Sequence, residues 1–178
     1  MKKWIAILTA VFMLSACSFS VGFEGNDTEE QEEQELQLQV TQVDKDSGVT
    51  VENNETYQEI EQLLKENPDW GYPNDFGLQI VDLLTFEEGN VQLLMLAINQ
   101  TGQPLKDISL NLTLGSTDGD MIMDNELVHI EEQIIGVIED HSAVPVLLPL
   151  NEEQQAIFNT LTDENVVMEL DNFDYETP

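Results

Sequence analysis

The sequence predicts a mainly β protein: an antiparallel β-sandwich with one or two short helices, preceded by a disordered acidic tether. Three observations lead there. Short apolar runs recur from residue 78 onward, separated by turns rich in Gly, Asn and Asp. Within residues 105–114, Ile108, Leu110, Leu112 and Leu114 alternate with Ser109, Asn111 and Thr113, the pattern of a strand with one buried and one wet face. Residues 18–55, by contrast, combine few large apolar side chains with a Glu/Gln block at 29–35, a composition that does not collapse.

The elements follow in order. A helix is expected from a capping-box pattern at Thr56-Tyr57-Gln58-Glu59, carries Ile60, Leu63 and Leu64 at helical spacing, and stops at Asn67-Pro68. Residues 69–77 (DWGYPNDFG) are turn chemistry threaded with aromatics. Trp70, Tyr72 and Phe76 could form an exposed ligand surface there, or plug the end of the core. Strands are expected at 78–86, 91–99 and 105–114, as a three-stranded meander, and then at 121–130, 134–138, 144–150 and 166–170. The run VQLLMLAI at 91–98 is apolar on both faces, so it must be central and covered twice, by a second sheet or by a helix. Asn151 caps a second helix bearing Ile157, Phe158 and Leu161. The domain is expected to span 56–172, with a frayed tail at 173–178. Leu36, Leu38, Val40, Val43, Val49 and Val51 leave open a different outcome for the tether, in which it adds one or two strands to the sheet.

Charge restricts function. Five basic residues stand against 36 acidic ones, a formal net charge of −31. A field of that sign repels phosphate backbones, which excludes nucleic acid as a partner, and favours cations or a basic protein surface. The one cysteine, Cys17, cannot form an internal disulfide, so an exported chain needs another use for it.

Its position supplies the use. Lys2-Lys3 is a short positive region, residues 4–14 are an apolar run broken only by Thr9, and Leu14-Ser15-Ala16-Cys17 follows. Eleven helical residues would cover only about half of a ~30 Å hydrocarbon core, so the run is a signal peptide and not a membrane span. The tetrapeptide resembles the bacterial lipobox at all four positions. That resemblance implies cleavage between Ala16 and Cys17, diacylglyceryl on the Cys17 sulfur, and display on the outer face of the cell membrane of a Gram-positive bacterium. Two acyl chains, at about 0.8 kcal/mol per buried methylene, hold durably where one does not. Removal of Lys2 and Lys3 leaves Lys45, Lys65 and Lys106 against all 36 acids.

The stretch LMLAINQTGQPLKDISLNLTL, then Asp118-Gly119, then IIGVIEDHSAVPVLLPL is similar to the SLAP domain of Gram-positive surface and secretion-accessory proteins. The resemblance covers residues 77–150. It implies an immunoglobulin-like module, with an envelope or secretion component as partner and no catalytic motif.

Chemistry is sparse beyond this. His129 and His141 are the only imidazole bases, each at a strand end or turn. No Cys/His cluster or phosphate-binding loop occurs. Asp118/Asp120 and Asp163/Glu164 could chelate calcium weakly, whereas Asp44, Asp46 and Gly48 miss the calcium-loop pattern because the glycine falls fifth and not sixth. The expectation is a non-enzymatic binding or scaffolding lipoprotein without metal or other cofactor; the alternative is a ligand- or cation-binding surface lipoprotein.

Overall fold

A computed structural model of the chain describes residues 20–22, 35–86 and 89–178. Two sheets pack face to face. The first has five strands in the order β1 (Ser20–Gly22), β3 (Phe76–Thr85), β4 (Val91–Asn99), β7 (Ser142–Leu150) and β2 (Gln37–Leu38). The second has three, β6 (Met121–Ile130), β5 (Lys106–Ser116) and β8 (Val166–Glu176). All pairings are antiparallel except β2 with β7. The chain is therefore the mainly β, two-sheet sandwich with short helices that its sequence predicts.

β4 explains the layering. Leu93, Met95 and Ala97 point into the sandwich core with Ile108, Leu110, Leu112 and Leu114 of β5. Leu94, Leu96 and Ile98 point the other way, against Ile60 and Leu64 of the helix α2 (Glu55–Glu66), Leu36 and Trp70. Both covers foreseen for an all-apolar strand are thus present, a sheet on one side and a helix on the other.

Several expected details differ. Residues ahead of 56 also belong to the body, β1 in the first sheet and residues 35–55 beside β7 and α2. Leu36 and Val40 are buried, β2 adds a strand beside β7, and a helix α1 (Gln42–Asp46) and a 3-10 turn (Val51–Asn53) lead into α2. Enough apolar surface is buried at Leu36 and Val40 to order a segment whose mean composition argues against it. The cap of α2 is Asn54, whose Oδ1 accepts from Tyr57 N at 3.2 Å, two residues before the capping box read at Thr56. A short helix α3 (Glu132–Ile135) replaces the strand expected at 134–138. Gly136 follows it at φ 91°, a left-handed turn that a strand would not tolerate at a β-branched position, and only Ile138 makes a bridge, to Leu105. The two expected helices are therefore joined by two more of about one turn. The meander is also broken: β3 and β4 pair, but β5 lies in the opposite sheet. The last strand continues to Glu176, where a frayed tail was expected, because Phe173 stacks on Phe76 at 4.9 Å and Tyr175 Oη accepts from Gln103 Nε2 at 2.8 Å. The helix α4 (Glu152–Phe158) starts at Asn151 as read, with a reciprocal Asn151/Gln154 capping box.

Sheet edges are guarded. Past the short β2 pairing, the outer edge of β7 carries Pro145 and Pro149, which offer no N–H to an incoming strand. In the second sheet, β8 exposes Glu169, Asp171, Asp174 and Glu176, so two copies would meet with like charges.

Candidate functional site

Cys17 and the rest of the Leu14-to-Cys17 motif lie outside the described residues. The other candidates can be placed. Phe76 is 0% exposed and belongs to the sandwich core, Trp70 is 7% exposed and packs under α2, and Tyr72 is half-buried between them in the chain. The exposed aromatic platform is absent, and the plug reading holds for Trp70 and Phe76. The turn that places them has Pro73 second and Asn74 third at φ 61°, with Asp75 N donating to Tyr72 O at 3.1 Å.

The turn ends in a buried acid. Asp75 Oδ1 accepts from Phe76 N at 2.8 Å, while Oδ2 has no hydrogen-bond partner among the described residues. Burial pushes this carboxyl above its usual pKa, only partly offset by the Phe76 amide.

An open cleft of about 460 Å³ lies between residues 35–39 and the turn at 139–142. Glu35, Gln37, Gln39, Glu139, Asp140 and His141 line it. Gln39 ties its two walls together, donating to Val137 O at 3.2 Å and accepting from Glu139 N at 2.8 Å. His141 has φ 53°, the left-handed region, and its Nδ1 lies 2.8 Å from Asp140 Oδ2. Asp140 Oδ1 also accepts from Gly102 N at 2.9 Å. An acid orienting an imidazole is half of a hydrolytic constellation, but the neighbouring hydroxyl does not complete it. Ser142 Oγ is buried and directed at Asp140 O, 3.5 Å away. The Asp140–His141 pair thus acts as a clasp between two turns. His129 sits at an exposed position on β6, remote from this pair in the second sheet.

No group of three or more Cys, His, Asp or Glu side chains among the described residues is arranged to hold a metal ion. Asp44, one of the residues of the failed calcium loop, instead accepts from Tyr57 Oη at 2.6 Å and from Thr41 Oγ1 at 2.9 Å. Burial and the Asp44 carboxylate push the Tyr57 phenol up to about 12. This network fastens the segment before α2 onto the body.

Asn99 is the residue whose role sequence reasoning did not assign, although it ends the β4 run. It is fully buried, and its Nδ2 donates to Gln103 O, Ile138 O and Glu139 O at 2.8, 2.9 and 3.2 Å. Its Oδ1 accepts from the amide and hydroxyl of Thr101 at 3.0 and 2.8 Å. One side chain thereby shapes the crossover between sheets and pins it to the segment leaving α3. The signal available was an Asn immediately followed by a turn-forming stretch with Thr101, Gly102 and Pro104.

No family model, curated protein or solved structure matches the chain. Among the described residues, no helix is long and apolar enough to cross a membrane.

Proposed function

We propose that this protein is a membrane-anchored extracytoplasmic lipoprotein, held at the outer face of the cell membrane through Cys17, whose sandwich domain binds or scaffolds envelope or secretion components. The observation that carries this reading is the order of a positive region, a short apolar run and Leu14-Ser15-Ala16-Cys17, with the chain's one cysteine in the slot the motif requires. The function is non-enzymatic. Supporting this, His141 is paired with Asp140, the neighbouring Ser142 hydroxyl is directed at Asp140 O, and the cleft beside them is held by structural hydrogen bonds. The SLAP-like pattern at 77–150 favours a Gram-positive envelope partner, and the acidic surface favours a basic one.

Growth with a clickable fatty acid tests the anchor. Wild type incorporates the label and fractionates with membranes, and Cys17→Ala does neither; membrane retention of an unlabelled Cys17→Ala chain would overturn the reading. Crosslinking mass spectrometry on intact cells tests the partner, and calorimetry with calcium tests the alternative of a cation-binding lipoprotein, which requires a saturable heat.

A further inference from the structure

The position of β1 bears on how far the body stands from its anchor. Ser20, Val21 and Gly22 pair antiparallel with Gln79, Leu78 and Gly77 at the edge of the five-stranded sheet, beside β8 of the other sheet. Only residues 18 and 19 separate this strand from Cys17. Three Cα–Cα steps, fully extended, reach at most about 11 Å. We infer that, given the lipid anchor proposed above, the sandwich is seated against the lipid headgroups through its β1/β3 edge and is not suspended on the acidic segment.

That segment then has a different task. Residues 23–36 join β1 to β2, and these strands occupy the two opposite edges of one sheet. Crossing four strand spacings takes about 19 Å, well within the reach of such a length of chain. Whatever its charge, the segment adds nothing to the distance between anchor and body once β1 is paired. Without that pairing, residues 18–34 would act as a flexible spacer with a reach on the order of 20–25 Å.

The direction of β1 also selects the membrane-facing end. Because Ser20 lies opposite Gln79 and Gly22 opposite Gly77, the chain enters from the side toward which β3 runs, where Leu84 is half-buried and Phe86 is 43% exposed at the hairpin. An exposed aromatic beside a lipid attachment suits the headgroup boundary, where an apolar ring is sheltered from water. Asp82 is exposed on β3 toward this end, so zwitterionic headgroups accept it better than anionic ones.

Neutron reflectometry of the full lipidated protein on a supported phosphatidylcholine bilayer measures the separation directly. Protein density beginning at the headgroups, with a water layer no thicker than about 10 Å, is the expected result. The double variant Val21→Pro, Gly22→Pro removes two consecutive main-chain donors, one of which must face β3, and should open the gap to on the order of 20 Å. Amide exchange at Gly77–Gln79 in the same double variant should quicken by roughly tenfold or more, for the amides directed at β1. A wide water layer under the acylated wild type overturns the seating alone. An identical thin layer in the proline variant shows that β1 does not set the distance and also overturns it. Mass spectrometry finding no acyl group on Cys17 overturns the lipoprotein reading as well, and the exchange measurement then still reports whether β1 pairs with β3.

Discussion

Asn99 and Asp75 are both polar, buried and close to the open end of the β3–β4 pair, away from its hairpin, yet their energetics are opposite. Every polar atom of the Asn99 side chain is used; of the three carbonyls it serves, Ile138 O also accepts from Leu105 N and Gln103 O from Thr101 Oγ1, while its own Oδ1 holds the Thr101 amide and hydroxyl. Replacing Asn99 by Ala takes one donor from each of these carbonyls and the acceptor from Thr101 in a fully buried place, and we expect a loss of about 2–3 kcal/mol in urea unfolding with an unchanged m-value. Asp75 is half satisfied. Its folded pKa lies above the unfolded one, so the native state is favoured while the group is protonated, and that contribution is lost as pH rises through the folded pKa. Asp75→Asn keeps an acceptor for the Phe76 amide and carries no charge. It should melt higher than wild type at pH 7, with the difference closing toward pH 4 in a calorimetric pH series. A constant difference across that range would mean the carboxyl is not titrating within the fold's transition.

At the scale of elements, β2 and the helices that follow it form a strap along the helix-covered face of the first sheet. Its hold is local: Leu36 inserted beside Leu94 and Leu96, Gln39 bridging two main-chain groups, and Tyr57 tied to Thr41 and Asp44. Leu36→Ala should cost about 2–3 kcal/mol and raise proteolysis within 35–50 before the sheets themselves are cut. A variant whose protease pattern matches wild type would show that the strap does not depend on that contact. The strands were readable because alternation and all-apolar runs report burial directly, as in β4 and β5. The strap was legible only as the alternative in which Leu36, Leu38 and Val40 add a strand, as β2 does, because residues 35–55 carry few apolar positions and only tertiary contact shows that Leu36 and Val40 suffice. The mistaken strand at 134–138 has the same origin: Ile134, Ile135, Val137 and Ile138 have strand-like composition, but Gly136 turns left-handed between them and only one bridge forms.

For the whole molecule the dominant long-range force is self-repulsion. A formal charge of −31, with Lys65 paired to Glu61 and Lys106 to Glu132, leaves carboxylates facing one another over much of the surface. Screening shortens from about 10 Å at 0.1 M salt to about 3 Å at 1 M. The melting temperature should therefore rise with added NaCl between dilute buffer and about 0.5 M; a fall would mean that attractive ion pairs, not repulsion, dominate the net field. The same charge bears on partner choice, since a basic envelope component would associate faster at low salt.

The sequence by itself determined the fold class, the central position of β4 and the start of α4 at Asn151, because each depends on local periodicity or capping. Of the candidate site residues, it named the aromatics and the histidines but not their circumstances. Tertiary structure alone decided that Phe76 and Trp70 are interior, that β5 leaves its neighbour for the opposite sheet, and that residues 35–46 belong to the body. Those outcomes depend on what lies across the core from a side chain, and a linear pattern carries no information about a neighbour that the chain reaches only after folding.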